Sequence, residues 1–211
     1  MNEQSSDITA ARPPRTRRRI WYFAAFAVLV AVGVVAAVYA GQRPLGEELA
    51  TGTASGWYAA KDVGTTFTDG LNIITVTPQA RGPLRLISAR PLMDDGKTLR
   101  VVGVLARVIP RMLPPNSTSG GLQQSPGFPP TLPDAAGGVP VEGLVVQPPE
   151  QGEDLWIEIQ IGYEVMAPGR STRHGVELVY EYEGTERKAV IPSYLAICAP
   201  ATVACDPEYD E

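Results

Sequence analysis

One histidine, two cysteines and three lysines are all that this chain holds of the residues that most often act as bases, metal ligands or nucleophilic amines. Nucleophilic catalysis of the serine or cysteine kind needs a base beside a nucleophile on a rigid scaffold. His174 lies in Gly169-Arg170-Ser171-Thr172-Arg173-His174-Gly175, a stretch that reads as a solvated loop, so no catalytic residue is assigned. Zinc and copper sites draw on several His and Cys side chains; with its cysteines paired to each other the chain has no such set, and no metal is expected. No glycine-rich loop follows a strand and opens a helix, so no nucleotide cofactor is expected either. Charge is unevenly spread. The net charge is -5. Arg12, Arg15, Arg17, Arg18 and Arg19 against Glu3 and Asp7 leave about +3 ahead of an apolar run and about -8 behind it. An acidic portion of this kind is a poor match for phosphate backbones, which excludes nucleic acid as a partner. Arginine outnumbers lysine about five to one. With abundant Ala, Gly, Pro and Val, that fits a GC-rich bacterial genome.

The most informative absence is of charge between Ile20 and Ala40. As a helix this run is about 31 Å long, enough to cross the hydrocarbon core of a bilayer, and it has no polar face of the kind a soluble helix shows. Trp21, Tyr22 and Phe23 mark one end and Tyr39 the other, where interfacial aromatics belong. The basic residues Arg15, Arg17, Arg18 and Arg19 precede the run and only Arg43 follows closely. The positive-inside rule therefore puts residues 1–19 in the cytoplasm as a basic tail, residues 20–40 through the plasma membrane as a signal anchor, and residues 41–211 outside. The alternative is cleavage after Ala40, at the small-residue sequence Val38-Tyr39-Ala40; the apolar run is longer than a typical signal core. Gly33 and Ala37 fall on a small-residue row that would let two such helices pack closely, a route to a weak homodimer.

Gly and Pro, 21 and 20 residues, suit short strands and loops. Residues 41–65 show no sustained period and read as a stalk, with Trp57-Tyr58 expected to dock on the domain that follows, contact with the lipid headgroups being the alternative. Residues 66–211 read as an extracytoplasmic β-domain. LNIITVT (71–77) is β-branched and bounded by turn residues. PLRLISARPL and TLRVVGVLARVI (98–109) flank Asp94-Asp95-Gly96 and are expected to form a hairpin or strand pair. Residues 110–140, rich in Pro, Gly, Ser and Gln, are expected to form a long flexible loop, which Phe128 would pin to the domain. DLWIEIQIGYEVM (154–166) alternates strictly: Leu155, Ile157, Ile159, Ile161, Tyr163 and Val165 on one side, Trp156, Glu158, Gln160, Gly162 and Glu164 on the other. GVELVYEYE (175–183) repeats that design, and ERKAVI follows a Gly184-Thr185 turn. About seven strands with one apolar face each bury themselves as two facing sheets, so the expected fold is an Ig-like β-sandwich.

Cys198 and Cys205 follow the last expected strand and, outside the membrane, are expected to form a structural disulfide. The redox alternative usually has closer spacing at a helix N-terminus. Glu158, Glu164, Glu177, Glu181 and Glu183 would line outward strand positions as an acidic contact face. Residues 206–211 form an acidic tail without the ordered oxygen spacing of a calcium loop. These readings favour a non-enzymatic binding or scaffolding module for another component of the cell envelope. A small-ligand or cation-binding sensor is the alternative, and a carboxylate-dependent envelope hydrolase a third reading.

Overall fold

A computed structural model describes residues 46–94, 97–110, 124–133, 135–150 and 155–206. The basic tail, the apolar run 20–40 with Gly33 and Ala37, the first residues of the expected stalk and residues 207–211 lie outside the described residues.

Among the described residues twelve strands form and there is no helix. In chain order they are β1 (Leu49–Thr51), β2 (Ser55–Ala60), β3 (Thr66–Val76), β4 (Leu84–Met93), β5 (Leu99–Pro110), β6 (Ser125–Pro126), β7 (Val139–Pro140), β8 (Val145–Val146), β9 (Leu155–Val165), β10 (Gly169–Tyr182), β11 (Thr185–Ile191) and β12 (Ser193–Ala199). The first sheet runs β1-β3-β9-β5-β7, with β6 also on β3; the second runs β2-β12-β10-β4-β8, with β11 also on β10. All pairs are antiparallel except β2 with β12. Inward side chains of both sheets, among them Ile74, Ile157, Ile159 and Tyr163 from the first and Leu86, Leu178, Tyr180 and Ile197 from the second, share one buried cluster. The domain is thus all-β, built of two sheets about a common core, as the alternating strands require.

Several expectations need correction. Residues 46–60 are part of the sheets and not a stalk: Leu49 and Trp57 are buried, β1 pairs with β3, and β2 pairs with β12. Short strands separated by Gly52-Thr53-Ala54 carry too few residues to show a period. β4 and β5 do not form a hairpin. They lie in different sheets, because β10 takes β4 as its neighbour and β9 takes β5. Residues 124–133 and 135–140 do not behave as a free loop. They cover the outer side of the first sheet, where the Phe128 ring fills a notch over Gly103 and Gly162, two glycines paired across β5 and β9. A Cβ on Gly162 would come 2.3 Å from Phe128 Cγ. Residues 169–175 are the first half of β10, not a loop. The strand count exceeds seven because β6, β7 and β8, of two residues each, pair with the long strands and because β1, β2 and β12 were not expected as strands.

Two bulges shape the interior. Between Asp69↔Ile161 and Asn72↔Ile159, β3 has one residue more than β9. The alternation therefore shifts, and Asp69 and Asn72 both face the core, fully buried. β10 slips against β4 between Arg173 and Gly175. Arg173 consequently points inward with Ser171, while Val176, Leu178 and Tyr180 continue the inward set beyond the slip. Glu183 (φ 51°) and Gly184 (φ 71°) make the tight turn into β11, where left-handed backbone at both central positions matches the twist of a two-residue hairpin.

Candidate functional site

The five glutamates expected on one acidic face are divided between two sheets, and each of the four on strand positions meets an arginine. Glu158 is fully buried. Its Oε2 accepts from Arg107 Nε at 2.9 Å and from Gln160 Nε2 at 2.9 Å. Gln160 Nε2 also donates to the Ala135 carbonyl at 2.8 Å. Glu158 and Gln160, midway along the outward side of β9, are thus covered by residues 124–133 and 135–140 and are not solvated. Glu164 pairs with exposed Arg100 at the end of the same strand. On the second sheet, Glu177 meets Arg90 at 3.2 Å and Lys188 at 3.7 Å, and Glu181 meets Arg85 at 2.5 Å. These are cross-strand pairs on a solvated face, of the kind worth at most about 1 kcal/mol each. Glu183 lies in the exposed β10–β11 turn. It borders a cleft of ≈ 420 Å³, shared with Glu47, Gln79, Arg81 and Arg187 over Tyr182.

His174 stands exposed on β10 with its ring 6.2 Å from that of Tyr194. Among the described residues no three His, Cys, Asp or Glu side chains gather as metal ligands would.

Cys198 and Cys205 form a disulfide, with Cα atoms 5.6 Å apart. Cys198 lies within β12, a strand the sequence did not announce. The bond folds residues 200–206 back onto the end of the sheets. There the Ala201 N–H donates to Asp62 Oδ1 at 3.0 Å, and Arg170 Nη1 donates to the Asp206 carbonyl at 2.8 Å. Loop 61–65 is held on its other side by the Gly64 N–H to the Val165 carbonyl at 2.8 Å. Val63, Met166 and Val203, each more than 40% exposed, therefore lie on neighbouring loops at this end.

Two buried polar clusters escaped the sequence reading. In the first, Asp69 takes Trp57 Nε1 at 2.9 Å, Asn72 Nδ2 at 2.9 Å and Arg173 Nη1. Arg173 Nη1 also reaches the Tyr163 hydroxyl at 3.2 Å, and Ser193 Oγ donates to Asn72 Oδ1 at 2.7 Å. Burial opposes the Arg173 charge, but Asp69 and Tyr163 outweigh it and its pKa ends raised. Burial likewise pushes the Tyr163 phenol up to about 12. Its neutral form is thus favoured on folding, and the stability it lends is complete below its ordinary value near 10 and lost as pH rises through about 12. In the second cluster, Glu48 Oε1 accepts from the Tyr180 hydroxyl at 2.9 Å and from Arg187 Nη1 at 2.7 Å. This joins the start of the described chain to the second sheet. Desolvation, followed by the Glu48 hydrogen bond, raises the Tyr180 pKa. Neither cluster was visible as a motif. The available signal was a lone aspartate and a lone arginine at strand positions, and the bulges that turn them inward leave no fixed sequence spacing.

No family model matches the chain, and no curated protein sequence matches it. Among solved structures, a family 123 glycoside hydrolase from Clostridium perfringens matches 68% of this chain at 10% identity and a TM-score of 0.33. The match spans 23% of the hydrolase's length. The CooA pilin subunit from enterotoxigenic Escherichia coli matches 72% of the chain at 4% identity and a TM-score of 0.33, over 97% of the pilin. At that TM-score neither likeness carries an argument about fold or function.

Proposed function

We propose that this protein is a single-pass plasma-membrane protein whose outer, broadly Ig-like β-domain works by contact with another envelope protein and not by catalysis. The anchor is the uncharged run 20–40, with residues 1–19 inside. The observation that carries the reading is the state of the carboxylates. Glu158, Glu164, Glu177 and Glu181 are each held by an arginine, so none is poised in a cleft as an acid or base. An anchored domain of this kind acts through its surface.

The test is photo-crosslinking from the full chain in its native membranes, with a photoreactive residue placed in turn at Tyr58, Lys97, Val190 and Val203. An adduct of one discrete mass, from some positions and not others, is the expected result. No adduct from any position refutes the contact role. A C-terminal reporter active only outside the membrane checks the orientation; a silent reporter removes the anchored reading.

A further inference from the structure

The sheet edges of this domain are not finished alike. An open edge is a row of N–H and C=O groups ready to pair with another chain, and folded proteins blunt it by shortness, charge, proline or a bulge. In the first sheet, β1 has three residues and β7 two, and β5 breaks register between Val101 and Gly103. In the second, β8 has two residues, β4 carries Pro91 and two register breaks, and β11 carries Glu186, Arg187 and Lys188. β2 has none of these protections. Its six residues, SGWYAA, contain no charge and no proline, and they run against β12 without a bulge.

The bonds on one side of β2 define what is free on the other. The Ser55 N–H donates to the Pro192 carbonyl at 3.4 Å and the Lys61 N–H to the Cys198 carbonyl at 2.9 Å. Along a strand, alternate residues turn their backbone groups to the same neighbour. Odd-numbered residues therefore face β12, and the N–H and C=O groups of Gly56, Tyr58 and Ala60 face outward. Among the described residues no strand pairs with them. Trp57 is buried beneath this edge, while Tyr58 is 50% exposed. At the end of the edge, the Lys61 ammonium lies 4.8 Å from the Phe67 ring centroid and 5.8 Å from that of Trp57, donating to Gln124 Oε1 at 3.1 Å. No carboxylate pairs with it among the described residues. Burial lowers its pKa, as expected of an ammonium with part of its hydration removed, and a carboxylate brought alongside would oppose that shift by favouring the charged form.

We propose that β2 is a docking edge that takes an extended, acidic segment of a partner protein as an added strand. The segment pairs with the backbone of Gly56, Tyr58 and Ala60 and sets a carboxylate against Lys61. Backbone pairing supplies affinity and the lysine selects charge, the division of labour usual in strand addition. The proposal rests on the contact role above and names its surface.

Hydrogen exchange resolved to single amides, on the full chain in detergent, is the first measurement. In the free protein the amides of Gly56, Tyr58 and Ala60 should exchange about a hundredfold faster than those of Trp57 and Ala59. Equal protection means the edge is already covered, by this chain or a second copy, and overturns the proposal. The probe is a capped synthetic hexapeptide, Thr-Val-Thr-Glu-Val-Thr, at millimolar concentration. It should slow the three edge amides; failure to slow them overturns the proposal. A version N-methylated at alternate residues, which cannot pair, should not bind; binding as well as the parent overturns it. Lys61→Gln should weaken the acidic peptide about tenfold and leave a Gln-for-Glu peptide unchanged. Equal effects on both peptides remove the assigned role of Lys61. Crosslinking separates this idea from the broader one: adducts from Val203 but not from Tyr58 would leave the contact role standing and the edge assignment wrong.

Discussion

β9 and β10 carry nearly the same sequence design, yet their outward sides have opposite fates. Both alternate apolar residues with glutamates, and both bury the apolar set. On β10 the outward Glu177 and Glu181 stand in a solvated ladder with Arg90, Lys188 and Arg85. On β9 the outward Glu158, Gln160 and Gly162 lie under residues 124–133 and 135–140, with Glu158 and Gln160 fully buried. Period two identifies which side of a strand meets the core. It carries no information on what covers the other side, because the cover comes from a segment remote in sequence, held by the Phe128 ring over two glycines, by the pairing of β6 with β3 and β7 with β5, and by the Gln160 bond to Ala135.

The comparison can be broken most severely from the inward side they share. Ile159→Asp places an unpaired carboxylate at a fully buried position and should abolish the folded domain, seen as loss of any cooperative thermal transition in the full chain. Arg173→Met comes next. It leaves Asp69 buried without its cation and should cost about 3–5 kcal/mol in denaturant unfolding; adding Asp69→Asn should recover part of that loss, because breaking a buried pair costs more than replacing both members.

On the outward sides the two strands should then part company. Glu158→Lys sets two cations together beneath residues 124–133 and 135–140 and should cost about 3 kcal/mol or more. Glu181→Lys, on the open ladder, should cost about 1 kcal/mol or less. Equal shifts in unfolding midpoint would erase the distinction drawn here. Between these falls Gly162→Ala, which should cost about 1–3 kcal/mol by driving Phe128 from its notch. In a Phe128→Ala background the same change should cost less, since the ring atoms it meets are gone and only Phe128 Cβ, 2.8 Å away, remains. The smallest shift in global unfolding midpoint is expected from reducing the Cys198–Cys205 bond. A loop of seven intervening steps should forfeit up to about 2.5 kcal/mol by chain entropy. Most of that should register as faster exchange in residues 200–206 and not as a lower global midpoint.

What the sequence alone determined is the local part of this architecture. Strict alternation in 155–165 and 176–182 dictated strands and their inward residues, because successive side chains of an extended backbone must point to opposite sides. Gly184 dictated a turn, and two nearby cysteines dictated a short disulfide loop. Tertiary structure decided the rest. The bulges at Asp69–Asn72 and Arg173–Gly175 reversed the alternation, turning an aspartate and an arginine toward each other across 104 residues. Pairing with β3 and β12 drew residues 49–60 into the sheets, although the strands there are too short to show a period. Residues 124–133 and 135–140 became a cover because Gly103 and Gly162 sit side by side under Phe128 and because β6 and β7 pair with β3 and β5. In each case the deciding energy is a contact between distant segments, and a pattern read along one strand has no term for it.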